Sequence, residues 1–140
     1  MNARPAPDLD AALVLGMAST AIPFARSRAS EAERWLRILR LHGQAGTALQ
    51  AVGVSETPLE ESSQGADPAD GGERADRGDV VASVGDAAAG LARDRGAQAL
   101  ATRDILLAVM DVYGSDFSAL LHAYGTDRDE VLERLELAAV

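Results

Sequence analysis

Residues 96–135 read GAQALATRDILLAVMDVYGSDFSALLHAYGTDRDEVLERL, and this stretch decides the fold. Its apolar residues recur at helical spacing in three runs: Ile105, Leu106, Leu107, Val109 and Met110; Phe117, Leu120, Leu121 and Tyr124; Val131, Leu132 and Leu135, continued by Leu137. The punctuation between the runs is that of short helices. Gly96 breaks the chain, Thr102 opens the first run, Gly114 and the cap candidate Ser115 separate it from the second, Gly125 stops the second, and Asp127 with Glu130 gives an acid-capped start to the third. Upstream, Asp79 is placed to cap a helix carrying Val80, Val81, Val84, Ala88 and Leu91.

The first half of the chain repeats this order. Asp8 is an N-cap candidate for a helix that sets Leu9, Ala12, Leu13, Gly16, Met17 and Ala21 on one face, the one expected to be buried, until Pro23 stops it. Ser30-Glu31-Ala32-Glu33 has the Ser-x-x-Glu spacing of a capping box, with Trp35, Leu36, Ile38 and Leu39 behind it. Gly43 ends that run, and a short helix over 45–52 closes at Gly53. Asp8 falls on Asp79, Ala21 on Ala92, Trp35-Leu36 on Leu106-Leu107, Leu49 on Leu121 and Gly53 on Gly125, an internal duplication. The expected fold class is therefore all-α, a duplicated four-helix repeat. Each copy, 7–55 and 79–137, is near the roughly 60-residue size at which a lone core is marginal. The two are expected to form one domain, 1–140, around a pseudo-twofold axis, with the seam between them as the cleft.

Between the copies lies ETPLEESSQGADPADGGERADRGD, with eight acids, two Arg and one large apolar residue, Leu59. Such a segment buries too little apolar surface to offset its ordering entropy, so 56–78 reads as an acidic flexible linker. The chain of 140 residues has 22 acids against 13 basic residues, all Arg, for a net charge of −9. Without Lys there is no Schiff-base chemistry and no Walker lysine, and without Cys there is no thiol nucleophile, thiolate metal site or disulfide. The acidity disfavours nucleic acid and anionic membrane as partners, because both are bound by neutralising negative charge. With no transmembrane-length apolar run and no basic-then-apolar start, a cytoplasmic monomer is expected.

The quoted run resembles the repeat of the Clp unfoldase amino-terminal (Clp R) domain. There a helix is followed by a Gly-His-x-x-Ile-Gly-Thr-Glu-His turn, an Ile-Leu-Leu-x-Leu helix, a small-residue loop and a helix ending Leu-Gly-Val. SEAERWLRILRLHGQAGTALQAVGVS, residues 30–55, looks like a more diverged copy. The resemblance implies a recognition domain without its motor: a chaperone-linked adaptor, decoy or sequestering protein that binds a Clp unfoldase, its clients or a degradation tag. In members that read phosphorylated arginine, the Glu of that turn takes the guanidinium and helix-start N–H groups take the phosphoryl group. Here Ala101-Thr102-Arg103-Asp104 stands at that turn, with Arg103 at the acidic position, and in the first half the position falls among Glu31, Ala32 and Glu33.

Candidate ligand-binding residues are accordingly Glu31, Glu33, Arg103, Asp104 and Tyr113. Glu31 is expected to look outward, Glu33 sits at the capping-box position, and Arg103 with Asp104 offers an anion or carboxylate site beside free N–H groups. Asp104 equally suits a helix start as a dipole complement. Tyr113, beside Gly114, is the aromatic expected to be exposed, whereas Trp35 is expected in the core. Arg34, Arg37 and Arg40 form a basic stripe. His42 and His122 lack companion ligands at metal spacing, and no GxSxG elbow or Ser-His-Asp order is present. No catalytic residue, metal site or cofactor is assigned. The expected function is non-catalytic binding of a protein, peptide tag or peptide-like small molecule. The alternative is an accessory protein of a metabolite biosynthesis or self-resistance pathway that binds a small molecule in the seam.

Overall fold

A computed structural model describes residues 6–25, 28–54 and 80–138; the acidic linker and the Asp79 cap lie outside them. In chain order the elements are strand β1 (Ala6–Pro7), helix α1 (Leu9–Ala21) running into a 3-10 turn (Ile22–Phe24), α2 (Arg28–Leu39), α3 (Gly43–Ala51), α4 (Val80–Asp94), strand β2 (Ala99–Leu100), α5 (Thr102–Tyr113), α6 (Ser115–Ala123) and α7 (Arg128–Ala138). The protein is mostly helical, with one small parallel strand pair.

At the centre α2 lies on α5, and around this pair the packing is reciprocal. α3 of the first half packs on α5 of the second, while α6 of the second packs on α2 of the first. α1 covers α2, α4 covers α5, α1 and α4 touch each other, and α7 packs on α3. Trp35, Leu36, Leu39, Ile105, Leu106, Tyr113, Phe117 and Leu121 are all buried in one core. Burying each such side chain contributes about 1.5–3 kcal/mol. Ala11, Ala18, Ala32, Ala48, Ala88 and Ala92 are buried among them, and these small side chains let the helix axes approach closely.

Two turns 72 residues apart are built alike. After α3, Gly53 takes φ +100° and Val54 N–H reaches back to Leu49 O (3.0 Å); after α6, Gly125 takes φ +87° and Thr126 N–H reaches Leu121 O (2.9 Å). These are Schellman closures, in which a left-handed glycine frees the next N–H to satisfy an orphan helix carbonyl.

Three sequence expectations are corrected. α1 turns the other way: Ala11, Val14 and Ala18 are buried, whereas Leu9, Leu13 and Met17 are 77%, 46% and 42% exposed. Apolar residues surround this helix, so periodicity cannot choose a face; contact with α2 and α4 chooses the one with smaller side chains. α2 begins at Arg28, which places Ser30 and Glu33 inside the helix, so no Ser30 capping box starts it. Arg28 and Ala29 are themselves good helix formers and extend the first turn upstream. α6 likewise takes Gly114 as its N-cap, with Ser115 already helical.

The Asp8 cap is present, its Oδ1 accepting from Ala11 N–H at 2.8 Å, and Asp127 Oδ1 accepts from Glu130 N–H at 2.8 Å. The strand pair was not legible in the sequence. Ala6 pairs with Ala99 and Pro7 with Leu100, and Asp8 N–H continues the ladder to Leu100 O at 2.9 Å. Two residues are too few for alternation to register, but they pin the start of α1 beside the start of α5. Among the described residues no single helix is long and apolar enough to cross a membrane; α5 and α6 pass such a test only together, bent by 111°.

Candidate functional site

The five candidate residues separate into two interior networks and two charged groups with orphaned atoms. Glu31 and Tyr113, from different halves, meet inside the protein. The Tyr113 hydroxyl donates to Glu31 Oε1 at 2.8 Å and accepts from Trp35 Nε1–H at 3.1 Å. Glu31 is 2% and Tyr113 1% exposed, which corrects the expectation that both face outward; Trp35 is in the core as expected. Glu31 lies four residues before Trp35, one helical turn, and so shares the face that packs against α5. A buried carboxylate needs a partner, and the phenol supplies one.

Asp104 is fully buried at the start of α5 and serves two roles. Its carboxylate accepts from Ala101 N–H at 2.9 Å, and Arg95 donates to it through Nε at 2.8 Å and Nη2 at 2.7 Å. The hydrogen bond to Asp104 raises the Arg95 pKa above its ordinary value, against the opposing effect of burial. Asp104 is thus a cap and half of a bidentate ion pair, the helix-start reading carried further. Arg95 went unnoticed in the sequence; it lies nine residues before Asp104, across the turn at Gly96, and no local spacing rule pairs the two.

Glu33 and Arg103 retain candidate status on different grounds. Glu33 is 9% exposed and its Oε2 has no hydrogen-bond partner; Arg103 Nε and His42 Nε2 are likewise buried without one. A buried polar atom left unpaired costs about 1–3 kcal/mol. His42 occupies the N-cap position of α3. There Gly43 takes φ +60°, and a Cβ on it would lie 2.5 Å from Thr102 Oγ1, the atom that accepts from Ala45 N–H at 3.2 Å. The starts of α3 and α5 are therefore held together by Thr102. The Arg stripe is partly engaged in the fold: Arg34 Nη1 donates to Ala21 O (2.8 Å) and Arg40 Nε to Val54 O (3.1 Å), while Arg37 is exposed.

The seam itself holds a groove of about 510 Å³. Pro7, Leu15 and Ser19 line it from the first half, Val81, Gly85 and Asp86 from α4. None of the five candidate residues borders it. Its volume falls in the roughly 300–1,000 Å³ range of ligand pockets, and its walls are apolar with a carboxylate at one side. Gly85 sits mid-helix, and a Cβ there would meet nothing within 4 Å among the described residues, so packing among them does not require glycine. Among the described residues no group of His, Asp or Glu is arranged to hold a metal ion.

No protein-family model, characterised protein or solved structure matches this chain.

Proposed function

We propose that this protein is a non-catalytic binding domain of the Clp unfoldase amino-terminal type, which holds a protein segment, a peptide tag or a peptide-like small molecule in its seam. On this reading the two halves are copies of one unit, an idea supported by the reciprocal packing of α2, α3, α5 and α6 and by the matched turns at Gly53 and Gly125. The observation that carries the proposal is the seam groove, lined from both halves with an apolar floor and a glycine that keeps it open. Glu33 and Arg103 do not line that groove, and the reading gives them no contact in it.

The test is a pull-down from source lysate with wild type and Gly85→Trp as parallel baits. Recovery of Clp subunits or their clients on the wild type, lost on Gly85→Trp, supports the reading. Equal recovery on both baits removes the groove from it. Empty baits, followed by a thermal shift of the wild type with fractionated small metabolites, favour the alternative of a metabolite-sequestering protein.

A further inference from the structure

A second groove, separate from the seam, runs between α4, α5 and α7 and encloses about 470 Å³. Its floor is Gly90 and Leu91 of α4, Leu107 of α5 and Leu132 of α7, and the three leucines are only half-buried although they pack against the core. Three large side chains thus share one wet depression. Gly90 is the second observation. It lies inside a helix, where glycine costs about 0.5–1 kcal/mol relative to alanine, yet a Cβ there would meet nothing within 4 Å. No contact among the described residues accounts for the missing side chain; what its absence does is keep the groove open.

The rim supplies the chemistry. Asp94, Asp111 and Arg128 stand around the floor, all exposed, and among the described residues their side chains make no hydrogen bond or ion pair. Two carboxylates against one guanidinium leave the rim negative. We propose that this groove docks an amphipathic helix of a partner protein, its apolar face on the three leucines and its flanking Lys or Arg side chains on Asp94 and Asp111. A second copy of this chain does not fit, because the exposed apolar helix among the described residues, α1, carries Asp10 and no basic residue.

The test uses the full chain and two fluorescein-labelled probes: an amphipathic Leu/Ala/Lys helix and its twin with Glu for Lys, followed by anisotropy. The Lys probe is expected to bind about tenfold tighter than the Glu probe, a difference that falls with salt. Asp94→Asn with Asp111→Asn is expected to erase that preference. Gly90→Trp, which leaves the charge unchanged and fills the groove, is expected to weaken the Lys probe about fivefold or more while helical circular dichroism is retained. Gly85→Trp, in the seam, leaves the probe's affinity unchanged, so failure here and failure of the seam reading are distinguishable. Wild-type affinity in Gly90→Trp assigns the attraction to the overall net charge and overturns the proposal. So does a self-association of the wild type, seen by sedimentation, that Gly90→Trp abolishes, since it gives the groove to a second copy.

Discussion

α1 and α4 are the outer helices of the two halves and face each other across the seam, yet they meet the core in opposite styles. α4 buries a defined stripe, Val84, Ala88, Ala89 and Ala92, and presents Ala82, Ser83 and Asp86 to water. α1 buries Ala11, Val14 and Ala18 and leaves Leu9, Leu13 and Met17 outside. Where polar residues mark one side of a helix, the sequence states which side is inward; where every side is apolar, the neighbouring helix decides, and it selects the side that packs closest.

The sharpest way to break this comparison is to place a charge on each face of α1 in turn. Val14→Asp puts an unpaired carboxylate into the core and is expected to cost about 3 kcal/mol or more. Leu13→Asp, one residue earlier at a half-exposed position, should stay within about 0.5 kcal/mol of wild type in urea unfolding. If the two costs come out reversed, Leu13 rather than Val14 faces the core.

Next in size is the tie between the halves. Tyr113→Phe removes the hydroxyl that serves Glu31 and Trp35 together, leaving a buried carboxylate oxygen short of its donor; the expected cost is about 1–3 kcal/mol. Glu31→Gln in the same background should recover part of that loss, because a neutral amide is less costly to bury than a carboxylate. A cost below about 0.5 kcal/mol for Tyr113→Phe means that water or another donor already serves Glu31.

These two experiments also mark where the sequence stopped being readable. Trp35, Leu36 and Leu39, the glycine stops at 53 and 125, and the caps at Asp8 and Asp127 were all legible, because each follows from residue type at fixed local spacing. The Glu31–Tyr113–Trp35 network was not, since Tyr113 lies about 80 residues from the other two and no local spacing rule brings it to them. Arg95 with Asp104 was half legible: the acid at a helix start was visible, but its cation lies across a turn. The lining of the groove between α1 and α4 was not legible, because α1 contributes Leu15 and Ser19 and the sequence pattern singles out neither.

Smaller effects belong to the helix glycines. Gly85→Ala and Gly90→Ala should each stabilise the protein by about 0.5–1 kcal/mol, as should Gly16→Ala on α1, because a Cβ at any of the three meets open space. On α4 the gain should come with weaker ligand binding, since each methyl enters a groove; on α1 it should come alone. Thermal melts beside probe binding separate these outcomes, and a destabilised Gly85→Ala or Gly90→Ala shows that the backbone there needs glycine for its own sake.

The smallest expected signal tests the charged edge where the ends of α3 and α6 approach. Tyr124 has its pKa raised above the usual 10, first by burial and then by the Glu33 carboxylate, with Arg37 and Arg40 pulling it back. A phenol whose folded pKa is raised favours the neutral form in the native state. Its contribution to stability is therefore complete below the unfolded value and is lost as pH climbs through the folded one. Carbon-13 tyrosine resonances followed by NMR should show Tyr124 titrating above model tyrosine. Glu33→Gln should move that titration down and Arg37→Gln should move it up. Opposite signs place both charges within reach of the same phenol, on one face of α2; a shift in neither variant means that burial alone acts there and that Glu33 points its unpaired oxygen elsewhere.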